Sequence, residues 1–117
     1  MVANLDTKAN RRKLRELAGM AYTRELGREL SKVEDDFARW RRGEIDPFEL
    51  SDRIHRFHDG PSRDLYVRYH RVPPAQMVSY AVANEILQRE EISSDLLEAL
   101  ESLIDFFEMQ RSRSKGE

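Results

Sequence analysis

Between Leu14 and Trp40 the apolar side chains keep a helical interval: Leu14, Leu17, Ala18, Ala21, Tyr22, Leu26, Leu30, Val33, Phe37 and Trp40. The last intervals of 4, 3, 4 and 3 residues put Leu26 to Trp40 on one stripe of an α-helix. The pattern predicts a helix from about Arg11 to Arg42, roughly 45 Å long at 1.5 Å per residue. A compact domain of this chain length is only ~35 Å across. Such a helix must either bend, with Gly19 and Gly27 the natural places, or project one end onto a partner. Small residues at Ala18, Gly19, Ala21 and Gly27 would let another helix approach, although a mid-helix glycine costs up to ~1 kcal/mol relative to alanine.

The end of this helix is spelled out locally. Arg39, Arg41 and Arg42 sit in the last turn, where positive charge complements the negative end of the helix dipole. Gly43 suits the left-handed residue that follows a helix. Ile45-Asp46-Pro47-Phe48-Glu49-Leu50 then reads as a start signal, with Asp46 as N-cap, Pro47 as first helical residue, Glu49 closing a capping box and Ile45 stapled to Leu50. A tight helical hairpin is expected here.

The second helix, about 47 to 58, places Leu50, Ile54 and Phe57 on one face. Asp59-Gly60-Pro61 is expected to break the chain before a short third helix from about Pro61 to Arg71, which Val72-Pro73-Pro74 stops because proline lacks an amide hydrogen and restricts its predecessor. A fourth helix, about 74 to 90, is apolar nearly all round and should be the most buried. Ser93 caps a last helix whose stripe is Leu97, Leu100, Ile104 and Phe107, flanked by Glu98, Glu101, Asp105 and Glu108. Residues 111–117 read as a disordered tail. The expected fold is therefore all-α, about five helices, a long N-terminal helix (about 11–42) followed by a compact bundle, in a single domain over residues 1–110.

Composition bears on how such helices are covered. With 117 residues, 39% apolar and 36% charged, the core of a monomer would be thin. That favours burial of part of the apolar surface against a second chain, most simply as a homodimer, or against another protein. The net charge of −2 is unevenly spread: residues 1–36 carry 8 basic and 7 acidic side chains, residues 37–71 carry 8 and 6, and residues 72–117 carry 4 and 9. A nucleic-acid partner normally asks for a basic domain or a basic stripe, and only a patch is available. There is no Cys, which excludes disulfides and thiolate chemistry. No signal-peptide core and no apolar run of membrane-spanning length is read, so no membrane partner is expected and the expected location is cytoplasmic.

Residues 37–71 hold the only Trp, all three His, and most of the aromatic side chains. Asp52, His55, His58 and Asp59 are spaced three or four apart, so a metal ion held by Asp52, His55 and His58 is one reading. The alternative is a boundary histidine bonded to a carbonyl, because a catalytic zinc needs three protein ligands and no His-Glu-x-x-His occurs. Arg63-Asp64 followed by His70, and Arg53 followed by His58, resemble the Arg-x4–6-His motif of the HEPN family of small helical ribonucleases, in which a polar residue often follows the Arg. Over these eight residues the resemblance implies RNA cleavage at a dimer interface, His70 or His58 assisting the 2′-hydroxyl and Arg63 or Arg53 holding phosphate, roles that suit a near-neutral base and a fixed cation. Arginines beside Trp40, Tyr66 and Tyr69 are also the mixture that single-stranded nucleic acids use, though Trp40 lies on the apolar stripe and Arg41 and Arg42 have a helix-end role.

Serine catalysis and phosphate-cradling glycine loops have no motif here, and no cofactor is called for. The reading favoured by the residues is a non-enzymatic helical interaction or regulatory protein that associates with itself, with Trp40, Arg41, Arg42, Phe48 and Phe106 as contact residues. Nucleic-acid handling through an Arg/His pair is the alternative.

Overall fold

The computed structural model describes residues 3–116, and among these the chain is all-α, without strands. The α-helices are α1 (Lys8–Arg41), α2 (Pro47–Phe57), α3 (Arg63–Arg71), α4 (Pro74–Ala83) and α5 (Ser94–Gly116), with a π-helical turn at His58–Ser62 and a 3-10 turn at Arg89–Glu91. Helix α1 starts one turn earlier than its apolar pattern indicates. The Thr7 hydroxyl caps it by accepting from the Asn10 amide at 3.2 Å, and an N-cap needs no apolar residue.

Contacts gather the residues into two compact units where chain length alone suggested one domain: residues 1–21 with 72–117, and residues 22–71. α1 is continuous and contributes to both. The first unit holds the core. Leu14, Leu17, Ala18 and Ala21 repeat at helical intervals and are buried, as are Leu96, Leu100 and Ile104 one turn apart on α5. α4 has six buried residues in ten and packs along α5, where the Tyr80 and Phe107 rings meet edge to face at 5.7 Å. Its one buried hydroxyl, Ser79, donates to the Ala75 carbonyl at 2.8 Å.

Helix α4 stops at Ala83, seven residues before the predicted end. Glu85 adopts φ 60°, Glu85 N donates to Val82 O and Ile86 N to Ala81 O, a left-handed helix ending built without glycine. Ile86 and Leu87 stay buried as the chain turns, so the apolar run continues after the helix has ended. Downstream, the Ser93 hydroxyl accepts from Leu96 N at 3.3 Å and starts α5 as the sequence indicates. α5 continues through residues 111–116, the stretch read from sequence as a tail. Arg111 is tied back to α4: its guanidinium donates to the Ala83 carbonyl at 3.0 Å, satisfying a carbonyl of the helix end. Glu117 lies outside the described residues.

In the second unit the residues of α1 from Tyr22 onward run antiparallel to the α2–α3 segment. The hairpin is built as expected at its two ends. Gly43 has φ 77°, with Gly43 N donating to Trp40 O and Glu44 N to Arg39 O. The Asp46 carboxylate then accepts from Glu49 N at 2.8 Å. The Glu49 carboxylate does not close the capping box; it turns to Arg53 at 2.9 Å. The predicted break at Asp59-Gly60-Pro61 is absent. Backbone angles stay helical at both His58 (−63°, −46°) and Arg63 (−66°, −43°), and the wider π turn absorbs Pro61, which has no amide hydrogen to give. Residues 47–71 thus form one continuous helical run.

The two glycines of α1 and its end respond oppositely to a methyl group. A Cβ at Gly19 or at Gly43 would meet nothing within 4 Å. Gly43→Ala should therefore lose about 1 kcal/mol through its left-handed backbone alone, whereas Gly19→Ala, mid-helix, should gain about 0.5–1 kcal/mol. Urea unfolding of both variants checks the pair of signs.

Candidate functional site

Polar side chains tie the α2–α3 segment to α1. Arg53 donates to Asp36 at 2.7 Å and to Glu49 at 2.9 Å. Hydrogen bonds from its guanidinium to Glu49 and then to Asp36 raise its pKa above the ordinary arginine value. Towards the far end, the Tyr69 hydroxyl donates to Glu25 at 2.5 Å while the Tyr22 and Tyr69 rings stack at 4.8 Å, within 1° of parallel. Arg53 is thereby engaged by two carboxylates, where an Arg53/His58 pair would need its guanidinium turned to a phosphate.

The histidines do not converge. His55 and His58 are exposed on α2 and the π turn, and His70 lies twelve residues beyond His58, about 18 Å along a helical rise. His58 stands 3.4 Å from the Asp59 carboxylate with both side chains about 80% exposed, in open solvent. Among the described residues no group of three or more His, Asp or Glu is arranged to hold a metal ion, so Asp52, His55 and His58 do not form the site that their spacing allowed. Helical spacing puts side chains on one face, but without a second element bringing carboxylates across, only one face is supplied.

His70 has the most structured surroundings of the three. Its Nδ1 lies 2.7 Å from the Tyr66 carbonyl, its ring stacks on Tyr66 at 4.1 Å, and the Tyr22 ring meets it edge-on at 6.2 Å. A carbonyl only accepts, so Nδ1 carries the proton and Nε2 is left as the acceptor. Arg63, Tyr66 and His70 follow each other at intervals of three and four and share one face of α3; all three are exposed, as is Asp64. Arg63 and His70 are two turns apart, about 10 Å along the axis.

A different surface stands out on α1. Of the buried apolar side chains among the described residues, only Leu50 and Leu65 belong to the second unit, and α1 has none beyond Ala21. Leu26, Val33 and Phe37 are half-buried, Leu30 is 47% exposed and Trp40 39%. The stripe that predicted the helix is thus real but incompletely covered, and Trp40, which lies on it, is on the surface. One side of this half-helix carries the Asp36 that latches Arg53. The other side opens as a groove of about 630 Å³ lined by Leu30, Val33, Glu34, Asp35, Phe37, Ala38 and Arg41. Of the contact residues read from sequence, Arg41 lies in this groove and Trp40 stacks edge-on against Phe37 at 6.5 Å. Arg42 is paired to Glu44 at 2.7 Å, Phe48 is 83% exposed at the start of α2, and Phe106 is 51% exposed on α5. Sequence reading did not single out Leu30, Val33, Glu34, Phe37 and Ala38 as contact residues. For Leu30, Val33 and Phe37 the signal was the 4, 3, 4, 3 stripe itself, which shows that a face is apolar and not which part of it stays open; Glu34 and Ala38 lie beside the stripe and carried no signal.

On α5, the acidic flank finds its cation outside the helix. Arg89 reaches Glu101 at 3.3 Å and Glu108 at 3.9 Å, and the Glu101 hydrogen bonds raise its pKa above the usual arginine value. Among the described residues no helix is long and apolar enough to cross a membrane. Set against family models, curated proteins and solved structures, the chain matches none.

The His70 geometry has a direct spectroscopic consequence. At a pH where the imidazole is neutral, nitrogen-15 spectra should report the Nδ1-protonated tautomer for His70, and His55 should show the Nε2-protonated form usual for solvated histidine. A His70 that is Nε2-protonated would contradict the contact to Tyr66.

Proposed function

We propose that this chain is a non-enzymatic helical interaction protein that associates with a second copy of itself through the half of α1 that its own fold leaves open. The observation that carries this reading is the imbalance along one helix: four buried side chains up to Ala21 and none from Tyr22 to Arg41, although the apolar stripe runs on. Half-exposed Leu30, Phe37 and Trp40 in a row leave apolar surface in water, and its removal into an interface is worth about 25 cal/mol per Å² of apolar area buried. Clustered exposed apolar side chains with a polar border are also what marks contact surfaces on soluble proteins. Helix faces of this kind are used for helix-to-helix recognition.

Light scattering on the purified chain should give twice the chain mass at micromolar concentration. The single Trp makes a second readout available: acrylamide quenching of Trp40 should weaken as concentration rises. A monomeric mass with concentration-independent quenching would overturn the proposal.

A second reading, nucleic-acid handling, is supported by one arrangement. Arg63, Tyr66 and His70 present a cation, an exposed ring and an imidazole with Nε2 as acceptor on a single face of α3. Guanidinium to phosphate and base on aromatic ring is a combination used for single strands. In this reading the chain shifts a labelled single-stranded RNA at low salt, Arg63→Ala and Tyr66→Ala each weaken the shift, and affinity falls steeply with added salt. No shift at low salt would remove it.

A further inference from the structure

Resting on the self-association reading, we infer that the α1 groove receives the same groove of a second copy, the two helices antiparallel about a two-fold axis between Phe37 and Ala38. The charges on this half of α1 supply the register. Glu29 is paired with Lys32 at 3.1 Å, Asp36 with Arg53 at 2.7 Å and Arg42 with Glu44 at 2.7 Å. Glu34, Asp35 and Arg41 line the groove and make no ion pair among the described residues. Asp35 stands about 100° around the helix from Glu34, whereas Glu34 and Arg41 are seven residues apart, so those two share one face but stand about 10 Å from each other along the axis, too far to pair within one helix.

An acid and a base placed two turns apart on one open face are self-complementary in one direction only. In a parallel pair Glu34 faces Glu34 of the second copy and Arg41 faces Arg41. In an antiparallel pair Glu34 faces Arg41 of the second copy, and the two-fold symmetry makes the contact twice. The midpoint of 34 and 41 falls between Phe37 and Ala38. A large ring from each copy then lies opposite a small side chain of the other, which lets the helices reach the 8–10 Å separation of packed pairs. The helix-to-helix contact then spans residues 34–41, and Val33 and Leu30 stand opposite positions 42 and 45 of the second copy, in the hairpin turn that follows α1. Gly27, whose open position has nothing within 4 Å, leaves room at the margin.

Charge reversal tests the register. Glu34→Arg and Arg41→Glu each turn two attractive contacts into repulsive ones and should weaken the dimer by up to about thirtyfold, for two exposed pairs of up to about 1 kcal/mol each. The double variant E34R/R41E restores both contacts and should recover most of the wild-type affinity by sedimentation equilibrium. Helical circular dichroism of each variant reports whether it is folded, and both residues are exposed, so folding should be unchanged. The chain has no cysteine, which allows a second measurement. Ala38→Cys, next to the axis, should oxidise to a disulfide-linked dimer, and Leu30→Cys, about 20 Å from its own copy along the helices, should not. A wild-type dimer in which the single reversals have no effect, the double variant fails to recover, or Leu30→Cys cross-links as readily as Ala38→Cys overturns the antiparallel register and leaves self-association standing. A wild-type monomer overturns both.

Discussion

A single uninterrupted helix, Lys8–Arg41, has to find cover for one apolar stripe from two different sets of elements. The burial available to the two parts is unequal. Up to Ala21 the stripe is buried; beyond it, the available cover is a hairpin of which only Leu50 and Leu65 are buried apolar residues. Continuity of the helix hydrogen-bond ladder keeps the second part helical whether or not its apolar face is buried, since interrupting it would leave main-chain groups without partners. The exposed face is therefore a consequence of helix length set against limited apolar material elsewhere.

The second unit meets that shortage with polar ties. Asp36, Arg53 and Glu49 form a linked set, and Glu25 with Tyr69 forms another, at either end of the antiparallel segments. Ties of this kind fix register and orientation strongly and contribute little net stability where solvent reaches them. They occupy one flank of α1 and leave the other flank as the groove. The division of labour follows from side-chain chemistry: charged pairs hold the fold on one side, and unpaired charges beside half-exposed apolar residues remain on the other.

The concentration of functional-looking residues between Phe37 and Arg71 divides in the same way. Arg39, Gly43 and Asp46 take part in a helix ending and a helix start, roles visible from residue types because capping depends on neighbours in sequence. Arg53 looked like a candidate phosphate ligand and is a latch; its partner Asp36 is seventeen residues away, beyond what local spacing reveals. His55 and His58 stand apart from His70, since three residues on a helical rod converge only if another element folds them together. The π turn at Pro61 and the glycine-free ending of α4 at Glu85 were equally hidden. In both, the backbone conformation is imposed by what lies around it, against local preference.

From the sequence alone come the all-α class, the long first helix, the hairpin signals and the identity of the apolar stripe, because these depend on periodicity and capping, which act over a few residues. Tertiary structure decided how much of that stripe is covered, which charges are spent on latching the hairpin, and which remain open beside it. Burial and ion pairing depend on what distant residues happen to face, and Glu34 and Arg41 acquire their significance only when Asp36, Arg42 and Glu29 are seen to be already engaged.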